Sequence, residues 1–101
     1  MLYKLVLPGP IDDLSEVRVL EWHGSPDTEF NPGDLMVELD THKAVVEMRA
    51  SSKTVLRRIL IAAGEWQQVG APLAILSDSA DESLPERAEQ LAQSSVTYEM
   101  V

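Results

Sequence analysis

The apolar residues of this chain fall in short runs, several of them alternating, and turn formers close each run. LYKLVL at 2–7 stops at Pro8-Gly9-Pro10, and VRVLEWH at 17–23 gives way to GSPDTEFNPGD at 24–34. LMVELD at 35–40, AVVEMR at 44–49, TVLRRILIA at 54–62 and PLAILS at 72–77 follow. Runs of this length read as strands, and a period of two buries one face of each. In 35–40, Leu35, Val37 and Leu39 share one face, with Met36 and Glu38 on the other. In 44–49, Ala44, Val46 and Met48 share a face. Residues 24–34 read as a loop anchored in the core by Phe30, and Gly64-Glu65 reads as a turn. Strands so short and closely spaced predict an all-β fold, a small sandwich or barrel.

Composition narrows what such a fold can do. With 101 residues there is room for one domain and a tail. The chain has no cysteine, which excludes disulfides and thiolate metal sites; sulfur redox chemistry must come from a cofactor. A net charge of −9 argues against nucleic acid and anionic membranes and suits a basic partner or simple solubility. No apolar run approaches the roughly 20 residues that span a bilayer. LYKLVLPGP after Met1 lacks a signal peptide's basic start and long apolar core. A cytoplasmic protein is expected, and Met1 favours the N-terminus of one.

The domain is expected to occupy 1–78, with an acidic tail or linker over 79–101. Within that tail Ser83-Leu84-Pro85-Glu86 has the form of a capping box. Leu84, Ala88, Leu91 and Ala92 follow at helical spacing, predicting a short helix over 84–93 or a partly ordered linker. A faint internal repeat relates NPGDLMVEL at 31–39 to QVGAPLAIL at 68–76, each a glycine turn feeding an apolar strand.

Between the two alternating strands lies Asp40-Thr41-His42-Lys43-Ala44. Pairing the strands about His42-Lys43 sets Leu39 against Val46 and Val37 against Met48, a continuous apolar face. On the outer face Glu38 opposes Glu47, a modestly destabilising pair. The turn is not the Asn-Gly kind that two-residue loops favour. Of the three lysines, Lys4 lies in the first strand and Lys53 in a polar Ser-Ser-Lys-Thr segment. Only Lys43 combines a tight turn with a strand on each side, the presentation an enzyme acylating a single lysine needs.

Here the chain resembles the lipoyl domains of 2-oxo acid dehydrogenase complexes, within the biotinyl/lipoyl-attachment family. Their mark is an apolar strand, ETDKA or a close variant, and a second apolar strand; this sequence has LMVELDTHKAVVEM. Trp22 matches an aromatic in the second strand, and Asn31-Pro32-Gly33-Asp34 the turn before the hairpin. RILIAAG at 58–64 and VGAPLAI at 69–75 match the later strands, so the resemblance covers about residues 2–77. It implies a flattened barrel of two four-stranded antiparallel sheets with quasi-two-fold symmetry. It implies a carrier, not an enzyme, with lipoic acid joined to Lys43 as an amide by a lipoate ligase or lipoyl transferase. Asp40, Thr41, His42 and Ala44 would be the flanking recognition residues. The implied partners are a thiamine-dependent 2-oxo acid decarboxylase, a dihydrolipoyl acyltransferase and dihydrolipoyl dehydrogenase, visited in turn by the lipoyl arm. Residues 24–31 and the acidic flanks Glu38, Asp40 and Glu47 are expected to help the decarboxylase recognise the domain.

Three positions depart from the family pattern. His42 replaces the acidic residue before the lysine, Asp27 the glycine expected five residues after Trp22, and Thr54 the glycine eleven residues after the lysine. Thr54 implies a local backbone change, because glycine there permits a tight conformation. A divergent, unmodified binding module of the same fold is one alternative reading. A biotin carrier domain is another, although biotin acceptors usually have methionine on both sides of the lysine, where His42 and Ala44 stand here. The glycine-cleavage carrier is longer and fits less well. An enzyme finds little support: His23 and His42 stand alone, His42 with Asp40 falls short of a metal site, and Ser51-Ser52 lacks an elbow glycine. Asp12-Asp13 reads as a turn and Glu86 as a cap. Trp22 and Trp66 read as core or half-buried aromatics rather than stacking platforms.

Overall fold

In a computed structural model, which describes residues 1–8, 15–85, 87–94 and 96–100, the chain is all β. Among the described residues ten strands form: β1 Leu2–Leu5, β2 Glu16–Trp22, β3 Glu29–Phe30, β4 Leu35–Asp40, β5 Val45–Ala50, β6 Thr54–Ile59, β7 Trp66–Gln68, β8 Ala74–Ser77, β9 Ala92–Gln93 and β10 Val96–Met100. They make two five-stranded sheets, ordered β3-β6-β8-β1-β9 and β10-β5-β4-β2-β7. All pairings are antiparallel except β1 with β9.

The first eight strands supply the two expected four-stranded sheets, and their order carries the quasi-two-fold relation. Advancing each label in β3-β6-β8-β1 by four, cyclically over eight, gives β7-β2-β4-β5, the core of the other sheet. The faint sequence repeat is the trace of this symmetry, since 31–39 leads into β4 and 68–76 into β8, its counterpart. Both copies turn on a glycine in the left-handed region, Gly33 at φ 91° and Gly70 at φ 94°, where a β-carbon would be strained.

Apolar side chains from the two sheets meet between them. Leu5, Val19, Leu39 and Met48 are fully buried, as are Leu56 and Leu76. Phe30 is buried as the loop's core anchor, and the loop itself includes the two residues of β3. The alternation read in 35–40 fails at its start. A register shift between Leu35 and Val37 lets Met36 and Val37 both turn inward, each fully buried, while Leu35 is half-buried. Such a bulge places one extra residue on one strand and relaxes strict alternation.

The tail departs from the helix reading. No helix forms over the described residues of 84–93; Glu86, and with it the capping box, lies outside them, as does Asp12-Asp13. Instead β9 adds to β1 and β10 to β5, one on each sheet. Ser94 N donates to Lys4 O (2.9 Å), and Lys4 Nζ donates to Glu89 O (2.9 Å). Ala88 is buried and Leu84 and Leu91 half-buried, so the spaced apolar residues pack without forming a helix. An isolated helix of about ten residues is marginal in water, whereas an open sheet edge offers tertiary hydrogen bonds. Among the described residues no helix is long and apolar enough to cross a membrane.

Candidate functional site

The β4–β5 hairpin has the register its hydrophobic pattern demands. Leu39 pairs with Val46, Val37 with Met48 and Glu38 with Glu47, and the last pair before the turn is Asp40 with Val45. Register is strongly specified wherever one face is buried, because a one-residue slip would turn every apolar side chain to solvent.

The turn closes by an unusual set of bonds. Thr41 N donates to Ala44 O (3.1 Å), as in a two-residue hairpin loop. The opposite bond is made by a side chain: Ala44 N donates to Thr41 Oγ1 (3.2 Å), while that hydroxyl donates to Ala44 O (2.9 Å). Thr41 is fully buried, and its hydroxyl satisfies backbone groups of the half-buried Ala44. His42 sits at φ 72°, whereas Lys43 has no positive φ. Histidine, like Asn and Asp, is enriched among the few non-glycine residues that tolerate that conformation. Asp40 supports the turn by accepting from His42 N at Oδ1 (3.2 Å).

This turn exposes Lys43. Among the described residues no hydrogen bond or ion pair engages its amine. The other two lysines are both occupied: Lys4 Nζ on Glu89 O, and Lys53 Nζ 3.5 Å from Glu29 Oε1. The structure therefore separates the three lysines more sharply than their sequence positions do.

Beside the hairpin lies a second cluster. Across β7, β2 and β4, Trp66 is the register partner of Arg18, and Arg18 of Asp40. Arg18 Nη2 donates to Asp40 Oδ2 (3.0 Å), and the Arg18 guanidinium carbon lies 5.5 Å from the centre of the Trp66 ring. The His42 ring reaches over β2 and stacks on Trp66, with centroids 4.4 Å apart and planes 17° from parallel. Trp66 is 40% exposed. It is a stacking platform after all, whereas Trp22 is half-buried with its indole Nε1 donating to Ile61 O (2.9 Å). The part played by Arg18 and Trp66 was missed because QQ after Trp66 shows no alternation and hides β7, and only strand order brings Trp66 beside the turn. An aromatic just after the Gly64-Glu65 turn was the only hint in the sequence.

The acidic residues expected to flank the lysine are placed across the outer face of the same sheet. Glu21, Glu38, Glu47 and Glu99 are successive register partners on β2, β4, β5 and β10. The like-charge opposition of Glu38 and Glu47 is real but each has a basic neighbour. His23 Nε2 lies 2.6 Å from Glu38 Oε1, and Arg49 Nη2 donates to Glu47 Oε1 (3.2 Å). His23 is not alone: ligand atoms of the exposed Glu21 and His23 and the half-buried Glu38 lie within 4.8 Å of one another, a trio able in principle to approach a cation.

The other two departures, Asp27 and Thr54, also resolve in the backbone. Asp27 has φ 76°, so this site keeps the left-handed backbone that suits glycine. Thr54 lies instead within strand β6, buried, its hydroxyl donating to Ser77 O (3.3 Å); no left-handed turn is needed there. Loop 24–31 is fastened to β6, with Asp27 N donating to Leu56 O (2.6 Å) and Leu56 N to Thr28 O (2.8 Å).

Two sheets packed face to face thus carry one exposed lysine on a tight hairpin. No protein-family model matches the chain. It is 30% identical over 80 residues to the dihydrolipoyllysine-residue succinyltransferase component of the 2-oxoglutarate dehydrogenase complex of Bacillus subtilis, covering 79% of this chain and 19% of that protein. It is 28% identical over 83 residues to the dihydrolipoyllysine-residue acetyltransferase component of the pyruvate dehydrogenase complex of Rickettsia bellii, covering 81% and 20%. With the pyruvate dehydrogenase E1 component subunit beta of Rhizobium meliloti the figures are 29% over 77 residues, 75% and 17%. The chain thus spans about a fifth of the length of these relatives. With the hairpin and strand order, these similarities identify the chain as a member of the lipoyl-domain family.

Proposed function

We propose that this chain is a lipoyl carrier domain. Lys43 receives lipoic acid as an amide, and the domain moves acyl groups and electrons between active sites of a 2-oxo acid dehydrogenase complex. The observation that carries the reading is the contrast among lysines: Lys43 is held out on a braced turn while Lys4 and Lys53 are engaged. Asp40, His42 and Ala44 flank the amine at the surface, and the buried Thr41 holds their turn fixed for the modifying enzyme. A lipoyl group joined there would supply the redox and acyl-carrying chemistry that a cysteine-free chain lacks. The protein's own part is to orient the amine, keep the turn rigid and present a recognisable face. Tethering raises the effective concentration of the carried group at each partner site.

Residues 1–78 form the carrier unit in this reading, and 79–101 is a tail whose strands β9 and β10 each add to the edge of one sheet. The partners are a lipoate ligase or lipoyl transferase, a thiamine-dependent decarboxylase, a dihydrolipoyl acyltransferase and dihydrolipoyl dehydrogenase. Glu38, Glu47 and loop 24–31 contribute to docking of the decarboxylase. Flanks of His42 and Ala44 favour lipoate over biotin.

Co-expression with lipoate ligase and lipoate tests the modification by intact mass. A gain of one lipoyl group is expected, and Lys43→Gln abolishes it. No gain in the native chain identifies an unmodified binding module of the same fold; a gain that survives Lys43→Gln places the group elsewhere. With the modified domain in hand, Glu38→Lys combined with Glu47→Lys is expected to slow reductive acylation about threefold or more, mainly through encounter. Unchanged kinetics exclude both as docking residues.

A further inference from the structure

The Trp66–His42 stack joins the lysine turn to a strand that is not its neighbour. In the order β4-β2-β7 the His42 ring crosses over β2 to reach β7, and the stack at 4.4 Å and 17° is close and nearly parallel. Below it Arg18 connects the same two ends by a second route, paired with Asp40 on one side and lying under Trp66 on the other. Asp40 in turn accepts from His42 N. His42 is therefore fixed through both its ring and its backbone, in a conformation with φ 72° that an unsupported histidine adopts only at a cost. The residue so fixed immediately precedes Lys43.

We propose that Trp66 is a positioning residue for modification of Lys43: by stacking on His42 it holds the turn in the form that presents the amine to the acylating enzyme. The proposal rests on reading Lys43 as the attachment site. Without the stack the turn samples other forms, and only the fraction in the presenting form binds the modifying enzyme. Apparent affinity falls by that fraction, whereas the bound complex, once formed, is the same. The signature is a rise in KM for the domain at unchanged kcat.

Lipoylation kinetics of the full chain with a lipoate ligase, lipoate and ATP read this directly. Trp66→Ala is expected to raise KM about three- to tenfold, the effect of losing one aromatic pair, and to leave kcat within about twofold. Trp66→Phe keeps a ring under His42 and restores KM towards the native value. His42→Gly keeps the left-handed backbone but removes the stack, so it raises KM as Trp66→Ala does. Combining the two adds no further loss, because both remove one interaction. Folded Trp66→Ala protein with native KM, or additive effects in the double variant, overturns the proposal. If Trp66→Ala does not fold, Trp66→Leu, which keeps apolar bulk on β7 but removes the ring stack, decides it by the same KM criterion.

Failure of the attachment reading is distinguishable. If the native chain takes no lipoyl group, proton NMR still tests the stack. His42 ring protons are expected upfield in the native chain, with the shift lost in Trp66→Ala and retained in Trp66→Phe. Absence of that shift in the native chain overturns the positioning role irrespective of modification.

Discussion

One hydroxyl supplies two of the bonds that close the lysine turn. Thr41 Oγ1 both accepts from Ala44 N and donates to Ala44 O, beside the Thr41 N bond to the same carbonyl. Thr41→Val keeps the shape and removes both bonds; it is expected to cost about 1–2 kcal/mol in urea unfolding, while Thr41→Ser recovers most of that. Asp27 shows the same residue-scale logic in the backbone. At φ 76° a β-carbon is strained, and aspartate is among the side chains that tolerate this best. Asp27→Ala is expected to lose about 1 kcal/mol, and Asp27→Gly to stay within about 0.5 kcal/mol of the native chain, by the same unfolding measurement. The substitution of Asp27 for glycine was visible in sequence, but that it preserves the backbone was not, because φ is a property of the folded loop.

At the scale of elements, the hairpin was readable and the tail was not. Leu39, Val46, Val37 and Met48 define one buried face, and a period of two leaves only one register that keeps them inside. Met48→Ala is therefore expected to cost about 2–5 kcal/mol in urea unfolding, the range for a buried large-to-small change. The bulge at Leu35–Met36 breaks that periodicity for a reason the pattern does not contain, the packing of β4 against its partners. The spacing of Leu84, Ala88, Leu91 and Ala92 suited a helix, yet open edges at β1 and β5 captured the chain as strands. The β10 strand runs antiparallel to β5, from Val96 beside Ala50 to Met100 beside Val46, and covers one edge of the lysine hairpin. Ending the chain at Ser94 is expected to cost only about 1–2 kcal/mol, the worth of a few cross-strand pairs. The eight-strand core should remain, and β5 amides should exchange faster with solvent. Loss of folding on truncation would make β10 part of the core instead.

The whole molecule combines a symmetric scaffold with an asymmetric surface. Its first eight strands obey the quasi-two-fold relation, yet only one of the two related ends carries a lysine turn, a stacked tryptophan and a row of four glutamates. A net charge of −9 gives long-range attraction for basic surfaces, and salt weakens such steering because the screening length falls to about 10 Å at 0.1 M. The association rate with a decarboxylase that presents basic residues is expected to fall about tenfold or more between low and high salt, with a smaller change in dissociation. Stopped-flow measurements across ionic strength check this; a salt-independent rate would remove the acidic face from the encounter.

Sequence alone determined the β class and the hairpin with its register, and it singled out Lys43 as the candidate. These follow from local periodicity, turn residues and the motif flanking the lysine, all carried by residues near one another in the chain. Tertiary structure decided the rest: the strand role of the tail, the bulge at Met36, the tolerance of Asp27 and Thr54, and the contact between His42 and Trp66. Each depends on which strands lie side by side, and no spacing within the chain encodes the meeting of residues 42 and 66 across an intervening strand.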